Sequence, residues 1–354
     1  MKFGIRSIFC LLLLLIVGCN PAATTPVPNE RPTTEGATEG ATPRVVVLLG
    51  GGGRGDNSFN DSAASALPRL SELGVEVVFE DRPTEGSTDE IKAQQLQMIQ
   101  ARLDEGYNLI IGMGFENQGI IVEAAKAHPE TRFALIDVTV ADPPSNITSI
   151  TFREQEGDYI LGVLAARLTE NGRVGFIGGA AIPVIERIQN GYTLGVANGT
   201  AEGDVEVMAE LVGSFTDTVK AGEIATAMFT GETPVDVVYV AAGGAGNEAI
   251  KVAVENEILV LSTSTTINLP PGVVAARPKR VDAAVVSLVE HFMNSNLTPA
   301  YTMGYREGGL GLAFDDSVDT KLEQEMLALQ KSIETGNLVV ELATDGVTVS
   351  VHDK

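Results

Sequence analysis

The chain has 354 residues, enough for two domains that each bury a core of their own. Its 24 Lys and Arg residues stand against 47 Asp and Glu, a formal charge of −23, and this excess of acid excludes a surface that neutralises nucleic-acid phosphates. Both cysteines, Cys10 and Cys19, lie near the N-terminus, so the rest of the chain has neither a disulfide framework nor a reactive thiol.

The N-terminus has the pattern of a bacterial export signal. Lys2 and Arg6 precede an apolar run, Ile8 to Val17, that is too short to span a bilayer. The run leads into Gly18-Cys19, which resembles the lipobox whose cysteine carries the lipid; an ordinary secretory signal with an incidental cysteine is the alternative. We expect a lipoprotein signal peptide over 1–18 and a lipid anchor at Cys19 on the extracytoplasmic face of the cell membrane.

Residues 19–43 predict a flexible tether. They are rich in Pro, Thr, Glu and Gly and contain the repeat EGATEGAT, so they cannot bury enough apolar surface to fold. An anchor, a tether and then a folded body suit a protein that works at a membrane surface.

The folded body opens with a strand, a glycine loop and a helix. Val45 to Leu49 is an apolar run typical of a strand that is buried on both faces of a parallel sheet. Gly50 to Gly53 predicts a sharp turn, and a polar cluster that contains Phe59 follows it. Helical spacing then runs from Asp61 to Leu73. This order places the polar cluster at the carboxyl end of a strand, where open α/β sheets bind ligands.

Strands and helices alternate from there to residue 294. The predicted strands are 75–79, 108–112, 132–137, 147–152, 173–177, 205–211, 235–240 and 258–261, and the predicted helices are 91–103, 118–127, 157–168, 184–197, 217–230, 247–255 and 281–294. The alternation repeats itself, with glycine loops at matching strand ends. We therefore predict an α/β fold of two doubly wound parallel-sheet lobes, with 44–150 and about 268–300 in the N-terminal lobe and 151–267 and about 301–354 in the C-terminal lobe.

Enzymatic interpretations find little support in the motifs. Gly50, Gly52 and Gly55 match a dinucleotide fingerprint, but the helix does not begin at the third glycine and acidic residues intervene. No Gly-Lys-Ser/Thr motif is present, and no Ser-His-acid set has a motif behind it. Glu154 and Glu156 could form a catalytic acid pair, but capping and hinge contacts are the favoured interpretation. We predict no catalysis, no cofactor and no metal site.

Several separated motifs resemble those of the basic membrane lipoproteins, the nucleoside-binding components of ABC transporters. They are Asp56-Asn57-Ser58-Phe59-Asn60-Asp61-Ser62, the segment from His128 to Asp137, Phe152 to Gly157, Gly175 to Gly179, Gly213-Ser214-Phe215-Thr216-Asp217 and Ala241 to Gly244. The resemblance extends from about Val45 to Asp315. It implies the type I periplasmic-binding-protein fold, in which three crossovers join two lobes.

The resemblance also implies a ligand site. By motif, Phe59 and Phe215 resemble the two aromatic rings that hold a purine, a flat ring that gains roughly 1–3 kcal/mol from each stacking contact. Lys279 resembles the lysine that bonds the ribose, and backbone donors of Gly243 and Gly244 would orient the sugar. The remaining residues that we expect at the site are Asp56, Asn57, Asn60, Phe115, Asp217 and Ser262.

Two positions depart from the family pattern. The family commonly has an Asp that reads the base edge at the position of Gly50, and an acid that bonds the ribose hydroxyls at Ser262 or Ser264. A base with a different edge pattern, or a modified sugar, would explain the changes.

From these observations we predict a monomeric, lipid-anchored binding protein that captures a nucleoside and delivers it to a permease. A membrane-tethered sensor that reports the ligand to a signalling receptor, a binding protein for another small solute, and an exported nucleoside enzyme are the alternatives.

Overall fold

The structure is a computed structural model that describes residues 43–56, 59–200, 205–263 and 269–354. The predicted signal peptide, the lipidation site Cys19, the tether up to residue 42, and Asn57 and Ser264 lie outside these ranges. Among the described residues, no helix is both long enough and apolar enough to cross a membrane.

The body alternates strands and helices, as predicted. Its strands are β1 (Arg44–Leu48), β2 (Glu76–Glu80), β3 (Leu109–Met113), β4 (Arg132–Ile136), β5 (Ile147–Phe152), β6 (Arg173–Gly178), β7 (Glu206–Leu211), β8 (Val237–Ala241), β9 (Leu259–Ser262), β10 (Val273–Ala276), β11 (Ala300–Met303), β12 (Ala313–Phe314), β13 (Leu338–Leu342) and β14 (Val349–Asp353). Its helices are α1 (Phe59–Ala64), α2 (Leu67–Glu72), α3 (Thr88–Asp104), α4 (Gln118–Ala127), α5 (Glu154–Leu168), α6 (Pro183–Gly199), α7 (Thr218–Thr230), α8 (Gly246–Glu255), α9 (Val281–Met293) and α10 (Thr320–Thr335).

In the described ranges the strands form two six-stranded sheets and one hairpin. The first sheet has the order β11-β5-β4-β3-β1-β2, with every pair parallel. The second has the order β12-β10-β9-β8-β6-β7, in which only the short β12 runs antiparallel. The inner strands read as continuous apolar runs because helices cover both faces. Each sheet is therefore the centre of one doubly wound lobe.

The chain passes between the two lobes three times. The first crossover joins β5 to α5, the second joins β10 to α9, which packs on the first lobe, and the third joins β11 to β12. The predicted lobe boundaries need correction, because β5 continues to Phe152, β10 pairs with β9 and β11 pairs with β5. The four-residue strands β10 and β11 have no local signal for the sheet that they join, so pattern alone assigned them to the wrong lobes.

The first helix also differs from the prediction. Helical spacing predicted one helix over Asp61 to Leu73, whereas the structure has α1 and then α2. Pro68 lies in the first turn of α2. A proline ring clashes with the carbonyl four residues earlier and removes a backbone donor, so a continuous helix is broken at this point.

Candidate functional site

A cavity of about 540 Å³ lies between the carboxyl ends of the two sheets. Loops that follow β1, β3 and β4 form its wall in the first lobe, and loops that follow β6, β7, β8 and β9 form its wall in the second. The predicted residues that line it are Asp56, Phe59, Asn60, Phe115, Phe215, Gly243, Gly244 and Lys279. The volume is that of a site for a small molecule.

The glycine loop after β1 is held by the polar motif that follows it. The Asn60 side chain accepts from Gly50 N at 2.9 Å and donates to Gly51 O at 3.4 Å. Asp56 Oδ2 in turn accepts from the backbone and side-chain nitrogens of Asn60, each at 3.0 Å. Asn60 is buried, so its amide shapes the loop rather than reaching freely into the cavity.

Two phenylalanine rings line the cavity from different lobes. Phe59 begins α1 and packs against the core of the first lobe, and Phe215 packs against the core of the second. A Cβ on Gly179 would overlap the Phe215 ring, so glycine at that position makes room for the ring. Phe115 also lines the cavity, with about half of its surface exposed.

Lys279 lies at the base of the cavity and joins the two lobes. It comes from the second crossover, and its ammonium donates to Asp137 Oδ2 at 2.8 Å in the first lobe and to Glu154 Oε1 at 2.7 Å in the second. Although burial favours the neutral amine, the two carboxylates hold the pKa of Lys279 above its usual value. The lysine is therefore charged and positioned before any ligand arrives.

The two carboxylates that share Lys279 respond differently to it. Burial opposes ionisation of Glu154, but the charges of Lys279 and Arg187 lower its pKa to about 2. Arg187 Nη2 is 3.4 Å from Glu154 Oε2. Burial raises the pKa of Asp137, since Lys279 offsets only part of the lost solvation. Glu154 is therefore the more readily ionised of the two carboxyl groups.

Asp137 has features of a ligand-binding residue that sequence reasoning did not single out. It lines the cavity, and its φ of +70° is rarely adopted by residues other than glycine. Its Oδ1 is buried with no hydrogen-bond partner in the part of the chain that the structure describes. The signal was available, because Asp137 ends the motif from His128 and follows a predicted strand. Arg187, which lines the cavity from α6, was also missed.

A second buried ion pair lies close to the pairs that Lys279 forms. Arg277, fully buried, donates through Nε and Nη2 to Asp158 Oδ1 at 2.9 and 2.7 Å. Tyr239 adds a third hydrogen bond to the same oxygen at 2.7 Å. Burial raises the pKa of Asp158 to about 6, against the pull of Arg277. The pair fixes the second crossover to α5.

Two predicted site residues do not line the cavity. Asp217 is exposed and caps α7, where its side chain accepts from Lys220 N at 2.9 Å. Ser262 is buried at the end of β9, and Thr263 after it lines the cavity instead. Asp217 stands directly before a helix, a common place for a capping aspartate, so local sequence reasoning could have found this role.

The acid pair at the start of α5 contacts the crossovers, whereas the predicted side-chain cap of the helix is not formed. Glu154 bonds Lys279 of the second crossover, and Glu156 accepts from Tyr305 N of the third crossover at 2.9 Å and from Arg153 Nε at 2.7 Å. The helix begins at Glu154 rather than at the predicted Gly157, so both acids lie in its first turn.

Comparison with known proteins assigns the chain to a family. The model of the family described as "ABC transporter substrate-binding protein PnrA-like" matches residues 44–342. The chain belongs to this family. Membership implies a small-molecule ligand and a permease as partner, and the family's members are binding proteins rather than enzymes.

Relatives and solved structures agree with this assignment. Basic membrane protein A1 of Borrelia garinii subsp. bavariensis is 27% identical over 317 residues, which cover 86% of this chain and 90% of that protein. The ABC transporter nucleoside-binding protein BmpA of Lactococcus lactis subsp. cremoris is 33% identical over 211 residues, 57% of this chain and 56% of that protein. The crystal structure of an ABC transporter solute-binding protein from Aeropyrum pernix K1 superposes with a TM-score of 0.69 at 26% identity, and covers 86% of this chain and 94% of that one. The predicted family and the two-lobed type I periplasmic-binding fold are confirmed.

Proposed function

We propose that this family member captures an uncharged purine nucleoside between its lobes and delivers it to the permease of an ABC transporter. The observation that carries the proposal is the pair of rings, Phe59 and Phe215, which reach one cavity from different lobes. A flat base gains from stacking on both rings only when the lobes are closed, so binding favours the closed state.

The part of the cavity around Lys279 suits the sugar of the nucleoside. The unpartnered Oδ1 of Asp137 can accept a hydrogen bond from a sugar hydroxyl, and Lys279 holds the carboxylate in place through Oδ2. A buried acceptor without a partner costs free energy until a donor reaches it, so this oxygen rewards a ligand that brings a hydroxyl to it.

The charges of the site favour a ligand without a phosphate. Among the described residues around Lys279, three cations are balanced by three carboxylates: Lys279, Arg187 and Arg277 by Asp137, Glu154 and Asp158. Asp56 and Glu116 add negative charge to the cavity wall. A nucleotide would bring further negative charge into a cavity that already has this excess of acid, so we expect nucleosides to bind at least tenfold more tightly than their monophosphates.

Calorimetric titration of the purified protein tests the proposal. Purine nucleosides, their 5′-monophosphates, ribose and glucose are titrated in turn at one ionic strength. Binding of nucleosides with weaker binding of monophosphates is the expected result. If a free sugar binds and no nucleoside does, the nucleoside assignment fails while the family assignment stands.

The anchor is part of the proposal and has a test of its own. We infer that Cys19 carries the lipid that keeps the protein on the extracytoplasmic face of the membrane. The Cys19→Ala variant is expected to leave the membrane fraction when cells are fractionated. If the variant and the wild type distribute alike between the membrane and soluble fractions, the lipid anchor is removed from the proposal.

A further inference from the structure

Glu116 is a cavity residue to which the sequence assigned no role. It lies on the 3-10 turn Phe115–Asn117 after β3 and reaches across to the loop after β1, where its Oε2 accepts from Gly51 N at 2.7 Å. That hydrogen bond fixes the carboxylate at the wall of the cavity. Hydrogen bonds to a charged group are the stronger kind, so the position is well determined.

The glycine loop leaves room for this carboxylate. A Cβ on Gly51 would overlap Glu116 Oε1, and a Cβ on Gly50 would lie 3.2 Å from Oε2. Neither glycine has the positive φ that Gly52 and Gly53 adopt, so backbone conformation does not require glycine at positions 50 and 51. A side chain at position 51 would instead displace the carboxylate of Glu116, and one at position 50 would come equally close to Glu116 Oε2 and Met113 O.

The carboxylate and the ring of Phe59 both lie near Gly114. The position that a Cβ on Gly114 would take is 3.6 Å from Phe59 Cε1 and 3.9 Å from Glu116 Oε2. A base that stacks on Phe59 would therefore turn one of its edges toward Glu116. The carboxylate can only accept hydrogen bonds, so it favours an edge that carries N–H donors.

We propose that Glu116 sets the base preference of the site and selects purines whose edge presents N–H donors. The proposal rests on the nucleoside function proposed above. Guanine offers the N1 and N2 hydrogens side by side and hypoxanthine offers the N1 hydrogen, whereas the same edge of adenine offers only an N6 hydrogen and places the lone pair of N1 against the carboxylate. With adenosine the carboxylate therefore accepts one hydrogen bond fewer than with guanosine, and it faces a lone pair where inosine has N1–H. This difference corresponds to a preference of about tenfold to a hundredfold for guanosine or inosine over adenosine.

The test compares the dissociation constants of guanosine, inosine and adenosine in four proteins by calorimetry. Glu116→Gln replaces the carboxylate with an amide, whose one donor and one acceptor match the edge of adenine, so the ratio of guanosine to adenosine affinity should fall by at least tenfold and adenosine should gain. Gly51→Ala leaves Glu116 in the chain but displaces its carboxylate, and should also abolish the preference.

Glu123→Gln is the matched control, because Glu123 is on α4 outside the cavity and pairs with Lys92. It should keep the three dissociation constants of the wild type. If the wild type binds purine nucleosides without preferring guanosine or inosine, or if Glu116→Gln weakens all three ligands equally, the role of Glu116 is wrong and the nucleoside function stands. If the wild type binds none of the three, both proposals fail.

Discussion

Replacing Lys279 with methionine removes the ammonium that pairs with Asp137 and Glu154, while it keeps a side chain of similar length. Lys279 is only 8% exposed, so water cannot replace the lost charge. Removing one partner of a buried ion pair costs about 3–5 kcal/mol, because the other partner is left as an uncompensated buried charge. We expect the free energy of unfolding of Lys279→Met to fall by an amount in this range at pH 7.

The pH dependence of that loss distinguishes a charge effect from a packing effect. Glu154 keeps Arg187 as a partner, but Asp137 loses the cation that holds its Oδ2. The pKa of Asp137 is already raised by burial and should rise further in the variant. The folded variant then binds more protons than the unfolded chain, so its stability falls as pH rises above the ordinary pKa of an aspartate and recovers as pH is lowered.

Urea unfolding followed by circular dichroism at a series of pH values measures both effects. Lys331→Met on α10 is the matched control, because Lys331 forms an exposed ion pair with Glu334, and exposed pairs contribute little. The deficit of Lys279→Met relative to this control should be largest near neutral pH and shrink toward pH 4. A deficit equal to that of the control, or one that does not vary with pH, would refute the reasoning.

Three further predictions concern the loss of stability at low pH and the two stacking rings. Because the pKa of Glu154 is lowered to about 2, its ionisation contributes stability above pH 4.5 that is lost as pH falls toward 2. The urea midpoint of Glu154→Gln should therefore decline less over that interval than the midpoint of the wild type. Parallel declines of the two proteins would contradict this prediction. Phe59→Ala and Phe215→Ala should each weaken nucleoside binding by roughly 1–3 kcal/mol in calorimetry, while Phe314→Ala, a partly buried control outside the cavity, should leave the affinity unchanged. Gly179→Ala keeps the Phe215 ring but displaces it, so its affinity should drop as in Phe215→Ala; wild-type affinity would show that the ring position does not matter.

Much of this architecture could be predicted from local patterns. The helix over Gln118–Ala127 and the strand over Ile147–Phe152 were predicted with the observed bounds, because apolar periodicity and flanking turn residues are properties of neighbouring positions. The order of strands, glycine loops and helices also predicted two parallel-sheet lobes, since parallel neighbours require helical crossovers. Motif resemblance added the family and the rings Phe59 and Phe215 at the cavity.

Long-range contacts required the folded chain. The partners of Lys279, Asp137 and Glu154, precede it by 142 and 125 residues and come from different lobes, so no spacing rule connects them. Glu116 reaches Gly51 across 65 residues, and only the fold shows that it fills the space left by the glycines at positions 50 and 51. The sequence thus determined which segments form helices and strands, while the pairing of the sheets and the three crossovers decided which charged side chains meet at the cavity.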